Sequence, residues 1–145
     1  KVAIRVFQAA LGLPTNFLFD NRERHQREYD RITGNRIRIF DFEDSNNRSR
    51  IESILKESKP ALIIFDQIDK IRGFKGERND LELKQIYQWA REIAKEYAPV
   101  IAVSQASGEA EGKLFLTMDM VDGSKTAKQG EADWILGIIK SIIYP

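Results

Sequence analysis

Cysteine is missing from this 145-residue chain, and histidine occurs once. The lack of thiols excludes a disulfide framework and a thiolate zinc site, and His25, flanked by arginines and without a second imidazole, reads as a solvated side chain. No serine is accompanied by a histidine in a recognisable motif, so nucleophilic triad chemistry lacks support. Charge of one sign is not in excess either. Lysine and arginine number 23 against 22 acids, for a net charge of +1, so any phosphate binding must come from local cations rather than a global field. No apolar run approaches the roughly 20 residues that cross a bilayer, and the N-terminus has no leader pattern; the expected compartment is the cytoplasm.

What the chain does contain is enough apolar material, 42%, for a packed core in one domain over residues 1–145. It begins at Lys1, and Val2, Ala3, Ile4, Val6, Phe7, Ala10 and Leu11 already follow helical spacing, as expected of a start inside a longer protein. The apolar ending, Ile142, Ile143 and Tyr144, is likewise expected to have packing partners.

Gly12 and Pro14 stop the first helix. Residues 21–33 form a second, with Glu23 and Arg27 spaced for pairing and Gly34 as its stop; its arginines, interleaved with acids, read as a solvated face. Residues 36–40, Arg-Ile-Arg-Ile-Phe, alternate with period two and predict a strand. Residues 41–47 are turn-forming, and a short helix follows over about 48–57. An unbroken apolar run, 61–65, then ends on Asp66. Leu83, Ile86, Ala90, Ile93, Ala94 and Tyr97 mark one face of a long helix that Asn79 or Asp80 is expected to cap. Residues 99–104 form a second apolar strand, and residues 132–138 predict a late one. Trp89 and Trp134 are expected in the core. Alternating strands and helices predict an α/β fold with a parallel sheet.

Ligands of parallel sheets sit at the carboxyl ends of the strands, so the polar residues leaving those ends carry the chemistry. Asp66 leaves one strand; Ser104 and Gln105 leave the other. A carboxylate there orients water on Mg²⁺, and a glutamine senses a terminal phosphate by hydrogen bonding. Singly, each has a plainer reading in turn formation. Asp69 reads as a helix cap or turn. Residues 107–128 form a long glycine-punctuated connection in which Lys113, Lys125 and Lys128 are candidates for phosphate contact, although Glu109, Glu111, Asp119 and Asp122 lower the local field and simple solvation fits equally well. No G-x-x-x-x-G-K-[ST] phosphate loop occurs.

In order, Leu62-Ile63-Ile64-Phe65-Asp66, the long amphipathic helix, residues 100–105 (Val-Ile-Ala-Val-Ser-Gln), the glycine-punctuated loop and residues 128–136 (Lys-Gln-Gly-Glu-Ala-Asp-Trp-Ile-Leu) resemble the RecA-like motor domain of the DnaB family. More narrowly, they resemble the bacteriophage-type replicative helicases and primase-helicases, over about residues 2–138. The resemblance implies an incomplete RecA-like three-layer sandwich without its phosphate-loop strand. It implies ATP and Mg²⁺ as cofactors, with Asp66 as the Walker B acid near the metal and Ser104 and Gln105 at the nucleotide, Gln105 coupling nucleotide state to the DNA loop.

By the same resemblance, residues 107–124 face a central channel and Lys113, Lys125 and Lys128 meet single-stranded DNA phosphates, while Gln129 and Asp133 match the last shared motif without an assigned role. The parent would be a homo-oligomeric ring, a hexamer, in the cytoplasm of a bacterial or phage-infected cell, acting as an ATP-driven helicase. The family's phosphate loop and catalytic glutamate are expected before Lys1, and Lys140 does not match its arginine finger. The chain alone is therefore expected to be inactive. Two other readings share these residues: a different RecA-like ATPase, of recombinase or clock type, and a non-hydrolytic RecA-like module for nucleic-acid binding or assembly.

Overall fold

The two apolar runs become adjacent parallel strands, β1 (Ile63–Asp66) and β2 (Val100–Val103), paired Ile63 to Val100 through Asp66 to Val103 in a computed structural model of the chain. The structure describes residues 2–41, 47–76, 78–120 and 125–138, with only the backbone of residues 2, 47 and 125–127. The turn expected over 41–47 falls largely outside these residues, as do residues 121–124, with Asp122, and the tail from 139, with Lys140.

Two compact units divide the chain, Lys1–Glu43 and Asp44–Pro145. The first holds α1 (Val2–Leu11), α2 (Thr15–Asp20) and α3 (Arg22–Thr33). Gly12, at φ +66°, donates its N–H to the Gln8 carbonyl and ends α1, and Gly34 in the left-handed region does the same for α3. Phe7 of α1 stacks on Tyr29 of α3 with ring centroids 3.9 Å apart, and Leu18 of α2 is buried. Glu23 and Arg27 pair at 3.9 Å as their spacing predicts, on an exposed face. Residues 36–40 are not a strand. They run irregularly with Ile37, Ile39 and Phe40 exposed, because alternation makes a strand only where a neighbouring backbone accepts and donates the ladder bonds.

The second unit is an α/β arrangement in which the small sheet packs against helix by one face, while the paired Ile64 and Ile101 leave the other face exposed. It contains α4 (Asn47–Glu57), α5 (Asn79–Glu96) between the two strands, and α6 (Lys125–Glu131). Helix α5 buries Leu83, Ile86, Tyr87, Trp89, Ala90 and Ile93, one stripe at helical spacing. Trp89 anchors this core: Phe65 of β1 stacks on it at 5.4 Å, Phe74 meets it edge-on at 5.4 Å, and its indole N–H donates to Glu52 of α4 at 2.8 Å.

Asn79 and Asp80 do not cap α5. The N-cap position is Arg78, whose guanidinium takes both Asp80 carboxylate oxygens at 3.0 Å and so removes the acid from the helix amides. Residues 132–138 likewise contain no strand, and Trp134 is 94% exposed rather than a core residue. No helix among the described residues is long and apolar enough to cross a membrane.

Candidate functional site at the strand ends

The parallel register brings the carboxyl ends of β1 and β2 to the same edge, with Asp66 opposite Val103 and Ser104 and Gln105 next along the chain. Residues paired in a parallel ladder share a face, and successive residues alternate. Phe65 therefore faces the core with Trp89 while Ile64 and Asp66 are exposed on the other face. Asp66 and Gln105 both lie open to solvent.

Ser104 turns inward instead. Its Oγ donates to Asp69 Oδ2 at 2.6 Å and accepts from Lys128 Nζ at 2.7 Å. Lys128 also donates to Asp69 Oδ2 at 2.9 Å, and the Tyr87 hydroxyl of α5 donates to Asp69 Oδ1 at 2.9 Å. Asp69 does lie in a turn, Ile68–Lys70, and both its carboxylate oxygens are occupied by protein donors, so it is also the acceptor centre of a polar cluster. Burial pushes the Tyr87 phenol well above its ordinary range, and the Asp69 charge beside it acts in the same direction, which keeps the hydroxyl protonated as a donor.

The chain reaches Asp69 by a sharp local reversal. Gln67, between Asp66 and the short 3-10 turn Ile68–Lys70, sits at φ 64°, ψ 68°, a left-handed conformation that costs a non-glycine residue roughly 1–3 kcal/mol. Its Oε1 is buried without a hydrogen-bond partner among the described residues. Turning there drops fully buried Ile68 into the core and swings Asp69 back toward α5.

Lys128 is only 5% exposed. An ammonium tied to a carboxylate in this way is not offered to solvent, unlike that of Lys113, which is exposed. Lys125 opens α6 and is described in its backbone only. Gln129, next to Lys128, donates from Nε2 to the Met118 carbonyl at 2.6 Å. Asp133 is exposed and accepts from Arg91 of α5 at 3.3 Å, while the same Arg91 nitrogen donates to the Glu131 carbonyl at 2.7 Å, a cation at the C-terminal end of α6.

Sequence reasoning missed Tyr87 and the use of Asp69. The signal for Tyr87 was its place on the inward stripe of α5; the partner 18 residues earlier carried no local signature. Among the described residues no group of three acidic, histidine or cysteine side chains is arranged to hold a metal. Asp66 does fit the mode in which Mg²⁺ keeps several waters and takes one or two carboxylates together with substrate phosphates. No family model and no curated protein matches the chain.

Proposed function

We propose that this chain is the middle of the RecA-like motor domain of a ring-forming, ATP-driven replicative DNA helicase of the DnaB family. The observation that carries the reading is the adjacent, in-register pairing of β1 and β2, with Asp66 and Gln105 both exposed at one strand-end edge. That edge is where open parallel sheets take their ligands, and an acid beside an amide there suits a metal-bound triphosphate. When bound, Mg²⁺ would neutralise developing phosphate charge. Asp66 would hold it through water, and Gln105 would accept or donate a hydrogen bond according to the nucleotide present.

Phosphate cradling and base catalysis would come from segments of the full-length protein outside this chain, and neighbouring subunits would share each ATP site. Lys113 would touch the backbone of single-stranded DNA from the loop that follows Gln105. Lys128 takes a different part from Lys113, inside the protein. The left-handed Gln67 immediately after Asp66 agrees with a functional edge, since such strain concentrates at sites where geometry matters.

Strand separation on a forked DNA substrate tests this reading in the full-length protein. ATP-dependent unwinding is expected; DNA-dependent ATP hydrolysis without unwinding would move the protein to the recombinase type, and no hydrolysis at all would leave a non-hydrolytic module. The coding sequence upstream of Lys1 gives an independent check, since the motor requires a phosphate loop followed by a strand ending in glutamate.

A further inference from the structure

The loop after Gln105 is exposed at its tip but tied at its base. Leu114 and Phe115 are 79% and 81% exposed, and Lys113 is exposed beside them. Below the tip, the Ser107 N–H donates to the Met120 carbonyl at 2.7 Å and closes the loop on itself, and the turn Met118–Met120 follows Thr117, whose hydroxyl bonds Asp119. None of these bonds fixes the closed loop to the rest of the unit.

Two consecutive residues of α6 supply hydrogen-bonded attachment, beside Leu116, which lies close to Gly137. Neighbours on a helix project about 100° apart, so they reach different partners. Lys128 reaches the strand ends through Asp69 and Ser104, and Gln129 reaches the loop through the Met118 carbonyl. Arg91 holds the far end of the same short helix against α5. A seven-residue helix is too short to be stable by itself, so its position depends on these contacts.

We propose that Lys128 and Gln129 are the positioning residues of the loop 107–120: Lys128 fixes α6 to the carboxyl edge of the sheet, and Gln129 fixes the loop to α6. Any displacement of Ser104 or Asp69 then moves the loop base, while the tip remains free to meet its ligand. The inference rests on the motor reading only for what the tip touches; the mechanical link stands on the hydrogen bonds alone.

The absence of cysteine makes the test direct. Leu114→Cys introduces a unique thiol in this chain, and a nitroxide attached there reports loop motion in the absence of nucleotide and DNA. In Gln129→Ala the detached population is expected to rise about three- to tenfold, the range for one net hydrogen bond, with an unchanged melting midpoint. Lys128→Met is expected to free the label as well, and Lys128→Arg to restore slow motion by keeping the ion pair. Because Lys128→Met alone strands Asp69, the double variant Asp69→Asn with Lys128→Met provides a folded comparison and should also free the label. Unchanged label motion in Gln129→Ala, or in the double variant, would overturn the proposal. Neither result depends on ATP hydrolysis, so failure here leaves the motor reading intact, and failure to unwind DNA leaves this link intact.

Discussion

Lys128 Nζ lies 2.9 Å from Asp69 Oδ2, although the two residues are 59 positions apart in the chain. Their pairing joins the end of β1, the end of β2 through Ser104, and α6 in one polar cluster over the buried phenol of Tyr87. Local sequence cannot announce such a pair, because only the folded crossover through α5 brings the two charges together.

Breaking that pair should cost more than an exposed ion pair. Lys128→Met leaves a half-buried carboxylate with one cation removed, and is expected to lower stability by about 3 kcal/mol, toward the low end for partly buried pairs. Removing both charges, with Asp69→Asn added, should recover much of the loss. Urea unfolding midpoints of the two variants check this, and equal losses would show that the charge imbalance is not what matters.

The core should be most sensitive at Trp89, which joins Phe65, Phe74 and Glu52. Trp89→Ala is expected to cost about 3–5 kcal/mol through cavity formation, and Trp89→Phe distinctly less because most of the ring volume remains. Thermal unfolding of both variants decides it. Trp134→Ala is the control: a side chain 94% exposed should change stability by no more than about 0.5 kcal/mol.

Alkaline pH should weaken the fold through Tyr87. Its phenol ionises near the ordinary value of 10.0 when unfolded and well above it when folded. Below pH 10 the folded and unfolded chains therefore hold the same proton; above it the unfolded chain loses the proton first, and stability falls as pH rises toward the folded value. The stability difference between wild type and Tyr87→Phe, followed by denaturant titration, should shrink above pH 10. At the acid end the sign reverses for Glu52, whose carboxyl is held below 4.5 chiefly by its hydrogen bond from Arg48. Its contribution is complete above 4.5 and lost as pH falls through the folded value, so Glu52→Gln should flatten that limb.

Gln67 offers a test of backbone strain. Glycine adopts φ 64° without a Cβ penalty, and it would also remove the buried Oε1, which has no hydrogen-bond partner among the described residues. Gln67→Gly is expected to hold or raise stability by up to about 1 kcal/mol. A loss of stability would mean that the Gln67 side chain makes a stabilising contribution through its packing.

Much of the helical framework was legible because its signals are local. Gly12 and Gly34 do stop α1 and α3 in left-handed conformations, and the stripe from Leu83 to Ile93 does form the buried face of α5. The runs ending at Asp66 and before Ser104 were readable as strands because they are apolar on both faces. Residues 36–40 and 132–138 misled for the complementary reason: β-like composition does not supply a pairing edge. Helix α6 was hidden by Gly130 and by the glycine-rich stretch before it, and it forms where Lys128, Gln129 and Arg91 supply tertiary contacts that propensity does not record. Lys128 was visible as a cation, but its partner was not, so phosphate contact and solvation were the readings and the buried pair with Asp69 was not among them.

In the proposed motor, the acid at the end of β1 serves a magnesium-bound nucleotide. Asp66 is exposed, so Asp66→Asn should leave the melting midpoint unchanged while lowering magnesium-dependent ATP turnover of the full-length protein about a hundredfold or more. Turnover equal to that of the wild type, in a variant that melts normally, would contradict it.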